Sequence, residues 1–441
     1  MFVIRVFYLF YYTIFSMQKS TNKTIYSWAL YDWANSAYAT TVMAGFFPLF
    51  FKSYYSVGAD VTVSTAELGF ANSLSSFIIV LIAPLLGAIA DAGSLKKRFL
   101  ILFAFLGILM SASLALVDKG NWELAALVYT FGNIGFMGSN IFYDSLLPSV
   151  SNEKSVDFVS GLGFSLGYLG GGLLFALNVF MVQEPSFFAL ADKAQAIKFS
   201  FVSVALWWAL FSLPLLLFVE EKKGEKKEET ALLLAGYRRL QRTFKRVASL
   251  KGLFLFLVAY WLYIDGVDTI IRMAVDYGMA LGFESSKLIM ALLIVQFIGF
   301  PATLLVAKLA EIWETKKVIY LSIGVYIFIV IFASFMEDVS EFYILAVMIA
   351  LVQGGIQALS RSYYARMIPK RYAAEFFGFY DLIGKFAVIL GPLLIAFVAL
   401  FSQNSRLAIA SVAILFLAGG ILLFFVDEEQ IKKDVDGALD Q

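Results

Sequence analysis

The chain has no cysteine and no histidine. Without cysteine there is no disulfide and no thiolate metal site; without histidine there is no imidazole triad or relay. No metal, no cofactor and no enzymatic activity are expected, since only carboxylate or serine chemistry would remain and no serine has an evident base. Any proton the chain moves must ride on carboxylates. Charged residues are scarce too, 15% of 441, and a net charge of +1 gives nucleic acid little to hold. No ATP-binding motif is present. The glycine run GLGFSLGYLGGGLL, Gly161 to Leu174, lacks the lysine of a phosphate loop and lies inside an apolar stretch, where small residues let helices approach closely.

Apolar residues make up 61% of the chain, and mean hydropathy is +0.81. Runs of ~20 apolar residues are long enough to cross a bilayer. Twelve are predicted, over about 27–51, 66–90, 99–117, 122–147, 156–182, 197–219, 252–282, 286–310, 317–336, 341–366, 375–401 and 405–426. The predicted fold class is an all-α membrane protein with 12 transmembrane helices in two pseudo-symmetric six-helix halves, residues 27–219 and 252–426. Residues 1–26 form a cytoplasmic N-terminal segment, 220–251 a cytoplasmic linker and 427–441 a cytoplasmic tail. Arg5 interrupts the first apolar residues, and residues 1–16 are expected to be a mis-called start, with Met17 the real beginning; the alternative is a short segment lying in the membrane interface. In the linker, Glu220 to Glu229 is solvated. Thr230 to Leu250 puts Leu233, Tyr237, Leu240, Phe244 and Val247 on one face and basic residues on the others, a basic amphipathic helix at the membrane surface. With the N-terminus inside, 26 Lys and Arg fall in cytoplasmic segments, Arg361 counted among them, and 6 in outer loops. Both termini are therefore predicted to be cytoplasmic.

The halves echo one another. Asp32-Trp-Ala-Asn35-Ser36 in the first span matches Asp265-Gly-Val-Asp268-Thr269 in the seventh. Gly87 and Asp91, then Lys96 and Lys97, match Ala307 and Glu311, then Lys316 and Lys317. Phe142-Tyr143 before Pro148 matches Tyr363-Tyr364 before Pro369; Gly161 and Gly167 match Gly378 and Gly384. A repeat of this kind places a solute site between the halves, near the bilayer midplane.

Span seven carries Asp265, Asp268, Arg272 and Asp276 at i, i+3, i+7 and i+11, one stripe of a helix. A charge at the bilayer centre costs at least ~2.5 kcal/mol, so such residues face a bundle interior or a wet cavity. Polar stripes also mark span one (Asp32, Asn35, Ser36), span four (Asn133, Asn140, Asp144), span ten (Gln353, Gln357, Arg361) and span eleven (Asp381, Lys385), with Gln296 on span eight. Spans 3, 6, 9 and 12 are nearly free of interior charge, as a lipid-facing layer should be. Solute binding is expected of Asp32, Asn35, Asn140, Asp265, Asp268, Arg272 and Gln357: arginine for a carboxylate, aspartate for an ammonium. Asp144 and Asp268 are the candidates for proton exchange. The plain alternative is an ion-pair ladder and packing hydrogen bonds that only fix the helices.

The repeat and the loop GAIADAGSLKKR, Gly87 to Arg98, resemble the major facilitator superfamily, whose loop after the second span reads G-x-x-x-D-x-x-G-R-[RK]. Gly87 and Asp91 match; Gly93 stands one place early and the basic run slightly late. The strings YDWANSAY (Tyr31–Tyr38), FYDSLLP (Phe142–Pro148), GGIQALSRS (Gly354–Ser362) and EFFGFYDLIGKFAVILGPLL (Glu375–Leu394) resemble its vacuole-effluxer-like, or "unknown major facilitator", branch, whose fungal members export amino acids. The resemblance implies the major facilitator fold, alternating access and a charge latch at Asp91. Glu311 is the repeat counterpart of Asp91, and Asp381 and Lys385 are further gating candidates. The expected function is a secondary active transporter of a small polar solute, an amino acid or similar metabolite, with proton coupling as an option. Its expected partners are that small-molecule substrate and membrane lipids, and it is expected to be a monomer in a bacterial inner membrane. The rival is a non-transporting membrane sensor or assembly factor that docks through Thr230–Leu250.

Overall fold

The computed structural model describes residues 21–59, 61–221, 250–280, 282–386, 390–402 and 405–439. Among these residues every regular element is helical. The sequence α1 (Thr21–Ala37) runs on without a break through π turns at Tyr38–Phe46 and Phe51–Tyr55. Then follow α2 (Val61–Gly93), α3 (Lys96–Ser113), α4 (Trp122–Val150), α5 (Val156–Gln183) and α6 (Lys193–Phe218). After the linker come α7 (Lys251–Ala280), α8 (Ser285–Trp313), α9 (Thr315–Phe335) and α10 (Val339–Met367). The chain closes with α11 (Ala373–Phe386), α12 (Leu390–Ser402), α13 (Ser405–Ala410), α14 (Ala413–Phe424) and α15 (Glu428–Leu439). In chain order α1–α6 are the N-half and α7–α15 the C-half. The N-terminal apolar segment and the amphipathic helix expected from Thr230 lie outside the described residues.

Nine helices among the described residues are long and apolar enough to cross a membrane, which makes this a multi-pass membrane protein. The first, fourth and eleventh predicted spans are not among the nine. α1 and α4 carry buried polar groups, Asp32, Asn35 and Asn133 among them, and the eleventh span is described in two parts, α11 and α12, on either side of residues 387–389. The twelfth is divided into α13 and α14 by a turn at Ser411 and Val412. Leu102 and Phe105 on α3, Leu206 and Leu217 on α6, Phe328 and Phe335 on α9, and Ile414 and Ile421 on α14 are exposed apolar side chains, as expected of an outer layer, and α2 and α8 share that layer through Phe70, Phe77, Leu305 and Ile312. In a bilayer, lipid tails cover such a surface without cost.

The glycine run of α5 lies against α1. A Cβ on Gly163 would stand 2.8 Å from both Asp32 Oδ2 and Tyr143 Oη, and one on Gly167 would stand 2.6 Å from Ser36 Oγ. One on Gly170 would meet the Trp33 carbonyl oxygen at 2.6 Å. Hydrogen allows that approach where a methyl would not, so α1 is pressed inward and its polar stripe is buried.

One end of the bundle carries the loops rich in Lys and Arg, and there the halves are closed upon each other. Asp91 of α2 pairs with Lys96 at 2.9 Å and accepts the Glu375 N–H at the start of α11 at 2.8 Å. The Lys96 ammonium also donates to the Lys370 carbonyl at 3.4 Å. On the other flank Asp157 of α5 takes Arg366 at 2.7 Å, the Thr315 hydroxyl at 2.7 Å and the Ser362 hydroxyl. Ser160 donates to the Ala358 carbonyl at 2.7 Å. A repeat feature sits at the same end: Ser94 after α2 has φ 53° and Glu314 after α8 has φ 76°, and both stand three residues beyond Asp91 and Glu311. Ser94 is the position where the major facilitator loop has its second glycine, which gives the left-handed turn a reason for that glycine.

Candidate functional site

A cavity of about 360 Å³ lies between the halves. Its walls come from α1, α4, α5, α7, α8, α10 and α11. Of the expected solute-binding and proton-exchanging residues it collects Asp32, Asn35, Asn140, Asp144, Asp268 and Gln357, and Asp381 joins them. Tyr143, Tyr168, Tyr260 and Tyr380 add aromatic faces that end in hydroxyls, and Gln296 and Gln353 add amides.

The N-half wall is a connected network. Tyr143 donates to Asp32 Oδ2 at 3.0 Å, Trp28 donates to the Tyr143 carbonyl at 3.0 Å, and their rings stack at 4.3 Å. The Asn35 amide donates to Asn140 Oδ1. Tyr38 donates to Asn133 at 3.1 Å, just beyond the cavity. On the C-half wall the rings of Tyr260 and Tyr380 stack at 4.3 Å. Gln296 reaches across from α8 to Thr40 at 3.3 Å. Among the described residues, the hydrogen bonds between the halves run from the Lys- and Arg-rich end up to this level.

Arg361 joins the two walls. It belongs to α10 and is 3% exposed, yet its partners lie in the N-half. Its Nη1 stands 2.7 Å from Asp144 and 3.6 Å from Asp32; Nε and Nη2 donate to the Ser160 hydroxyl and carbonyl, both at 2.9 Å. The rings of Phe164, Trp28 and Tyr143 flank the guanidinium at 4.2, 5.1 and 5.5 Å. Counted by sequence as a loop cation, Arg361 is instead a buried charge of the cavity, and that is a correction. Its i+4 and i+8 spacing from Gln357 and Gln353 was the signal that placed it on the polar stripe.

Other expected residues fall elsewhere. Asp265 does not line the cavity. One of its oxygens accepts the Leu390 N–H and the other the Gly391 N–H, both at 2.9 Å, with Thr269 at 3.2 Å, so it caps the start of α12. Glu311 is exposed at the end of α8, and the buried ion pair across the halves on that flank belongs to Asp157 and Arg366. The side chains of Arg272 and Lys385 lie outside the described residues.

The family model described as "Vacuole effluxer Atg22 like" matches residues 20–158 and 150–436. The "Uncharacterized MFS-type transporter YxiO" of Bacillus subtilis is 43% identical over 416 residues, 94% of this chain and 97% of that protein. Autophagy-related protein 22 of Eremothecium gossypii is 23% identical over 88% of this chain and 87% of its own length. Among solved structures, the human organic anion transporter MFSD10 superposes with a TM-score of 0.70 at 13% identity, over 92% of this chain and all of that one (100%). The proton:xylose symporter XylE gives the same TM-score, 0.70, at 13% identity, over 95% and 99%. At that identity the likeness carries the major facilitator fold alone.

Proposed function

Because the chain belongs to the family of Atg22-like vacuole effluxers, of the major facilitator type, we propose that it is a secondary transporter that moves a small polar solute by alternating access. The observation that carries this reading is the cavity between the halves, closed at one end by Asp91, Asp157 and their partners. Residues 27–219 and 252–426 are the rocking halves. The solute is an amino acid or a similar metabolite: Asp268 and Asp32 suit an ammonium group, while Asn35, Asn140 and Gln357 supply neutral hydrogen bonds. Asp144 and Asp268 are the groups that would carry a proton, since the chain has no histidine. The Lys- and Arg-rich end is the cytoplasmic one by the charge rule, so the cavity is drawn here sealed from the cytoplasm. A monomer in a bacterial inner membrane fits this arrangement.

The test is gradient-driven flux in proteoliposomes. A labelled amino-acid mixture is offered under an imposed pH gradient to the unmodified protein and to Asp268→Asn. The expected result is uptake that falls at least about tenfold in the variant, a change of ~1.4 kcal/mol, while its thermal melt is unchanged. No uptake of amino acids or of a wider metabolite panel by the unmodified protein would sink the transport reading.

A further inference from the structure

We propose that Arg361 is the anion-binding group of the cavity, and that Asp144 occupies it as an internal stand-in for a solute carboxylate. The inference rests on the reading just given and assigns the acid end of the solute, for which Arg272 was the candidate from sequence. Arg361 spends two of its three nitrogens on Ser160, one on the hydroxyl and one on the backbone carbonyl of α5. Neither partner carries charge, and the flanking rings of Phe164 and Trp28 fix the guanidinium plane. Only Nη1 meets carboxylates, Asp144 at 2.7 Å and Asp32 at 3.6 Å, and all three residues line the cavity. Asp32 has a second partner of its own, the Tyr143 hydroxyl at 3.0 Å. An aspartate side chain and a solute carboxylate are the same planar acceptor, and a guanidinium edge that holds one fits the other.

The internal repeat supports the assignment. With Phe142-Tyr143 set on Tyr363-Tyr364, Arg361 falls on Asn140, and with Asp32 set on Asp265, Asp268 falls on Asn35. Asn35 and Asn140 bond to each other within the N-half. Their counterparts line the same cavity, but Arg361 turns away to partners in the opposite half. That crossing lies next to the closed end, where Ser160 also bonds Ala358. As the halves part there, α10 draws Arg361 off Asp144 and Ser160, and a buried guanidinium needs a replacement anion. A carboxylate solute supplies it, so opening is favoured when the site is loaded.

The experiment uses the full chain in detergent, with each labelled amino acid compared with its carboxamide in equilibrium binding. Asp144→Asn removes the internal competitor, and the acids should then bind at least about tenfold tighter than to the unmodified protein while the carboxamides do not bind. Arg361→Gln alone leaves Asp144 and Asp32 without their cation and can fail to fold. The double variant Arg361→Gln with Asp144→Asn replaces both charges of the 2.7 Å pair by amides of similar shape and leaves Asp32 the Tyr143 hydroxyl at 3.0 Å; it should keep a cooperative melt and lose acid binding. Acid binding unchanged or weaker in Asp144→Asn, acid binding retained in the double variant, or carboxamides bound as well as acids would each overturn the assignment. Acids that bind through Arg361 but are never carried across proteoliposomes would leave the assignment standing and remove the transport reading. Carboxamides or amines carried across, with acids ignored, would do the reverse.

Discussion

Asp265 and Asp268 stand one turn apart on α7, and their neighbours give them different work. The first has both oxygens on backbone N–H groups of α12; the second faces the cavity. Asp265→Ala leaves those two N–H groups without an acceptor and should lower unfolding stability by roughly 1–3 kcal/mol. Asp268→Asn keeps a polar group of the same shape in the cavity and should cost less than Asp265→Ala. Melts of both variants decide it: equal losses would mean that Asp265 is not a cap. The stripe on α7 was legible from spacing alone. Which oxygen meets which amide was not, because Leu390 and Gly391 stand more than a hundred residues along the chain from Asp265.

At the scale of elements, the loops after α2 and α8 hold non-glycine residues in left-handed backbone. Such a conformation costs about 1–2 kcal/mol with a Cβ, so Ser94→Gly should raise the melting temperature, and a lower one would show that the Ser94 side chain contributes more than the strain costs. At the start of α10, Asp338 forms a capping box with Glu341. Bonds from the Ser340 hydroxyl and the Glu341 amide hold the Asp338 carboxyl below the usual carboxylate range. A depressed folded-state value gives stability that is present above the unfolded value, ~3.9, and is lost as pH falls through the lower folded one. Asn caps a helix as well as Asp, so Asp338→Asn should match the parent near pH 7 and lose less on acidification. Melts at several pH values down to ~3, below the unfolded carboxylate value, test this; parallel acid limbs would remove the ionised cap as a contributor. The helices themselves were readable from hydropathy. The division of the twelfth span was not, because an apolar window averages over a two-residue turn.

For the molecule as a whole, closure at the Lys- and Arg-rich end depends on a few charge-assisted bonds between halves. Each is worth ~1.5–3 kcal/mol, so losing one should shift the closed–open balance by about tenfold or more. The chain has no cysteine, so an Ala374→Cys variant offers a single thiol at a fully buried position of the α2–α11 crossing. Adding Asp91→Asn should raise its maleimide reactivity roughly tenfold. An unchanged rate would make Asp91 a cap of α11 without influence on closure. Glu311, its sequence counterpart, should have no such effect on the other flank, where Asp157 and Arg366 hold the halves together.

Composition, periodicity and the repeat determined that this chain is an all-helical membrane protein with polar faces on particular helices. Those properties are local or additive: an apolar run must leave water wherever it occurs, and a stripe of aspartates must find a polar interior. Tertiary structure decided which polar residues share a cavity, that Arg361 crosses into the opposite half, that Asp265 caps a helix, and that Asp157 replaces Glu311 at the closed end. These are distances between residues remote in sequence, set by how glycine faces such as that of α5 let helices approach, and no periodicity encodes them.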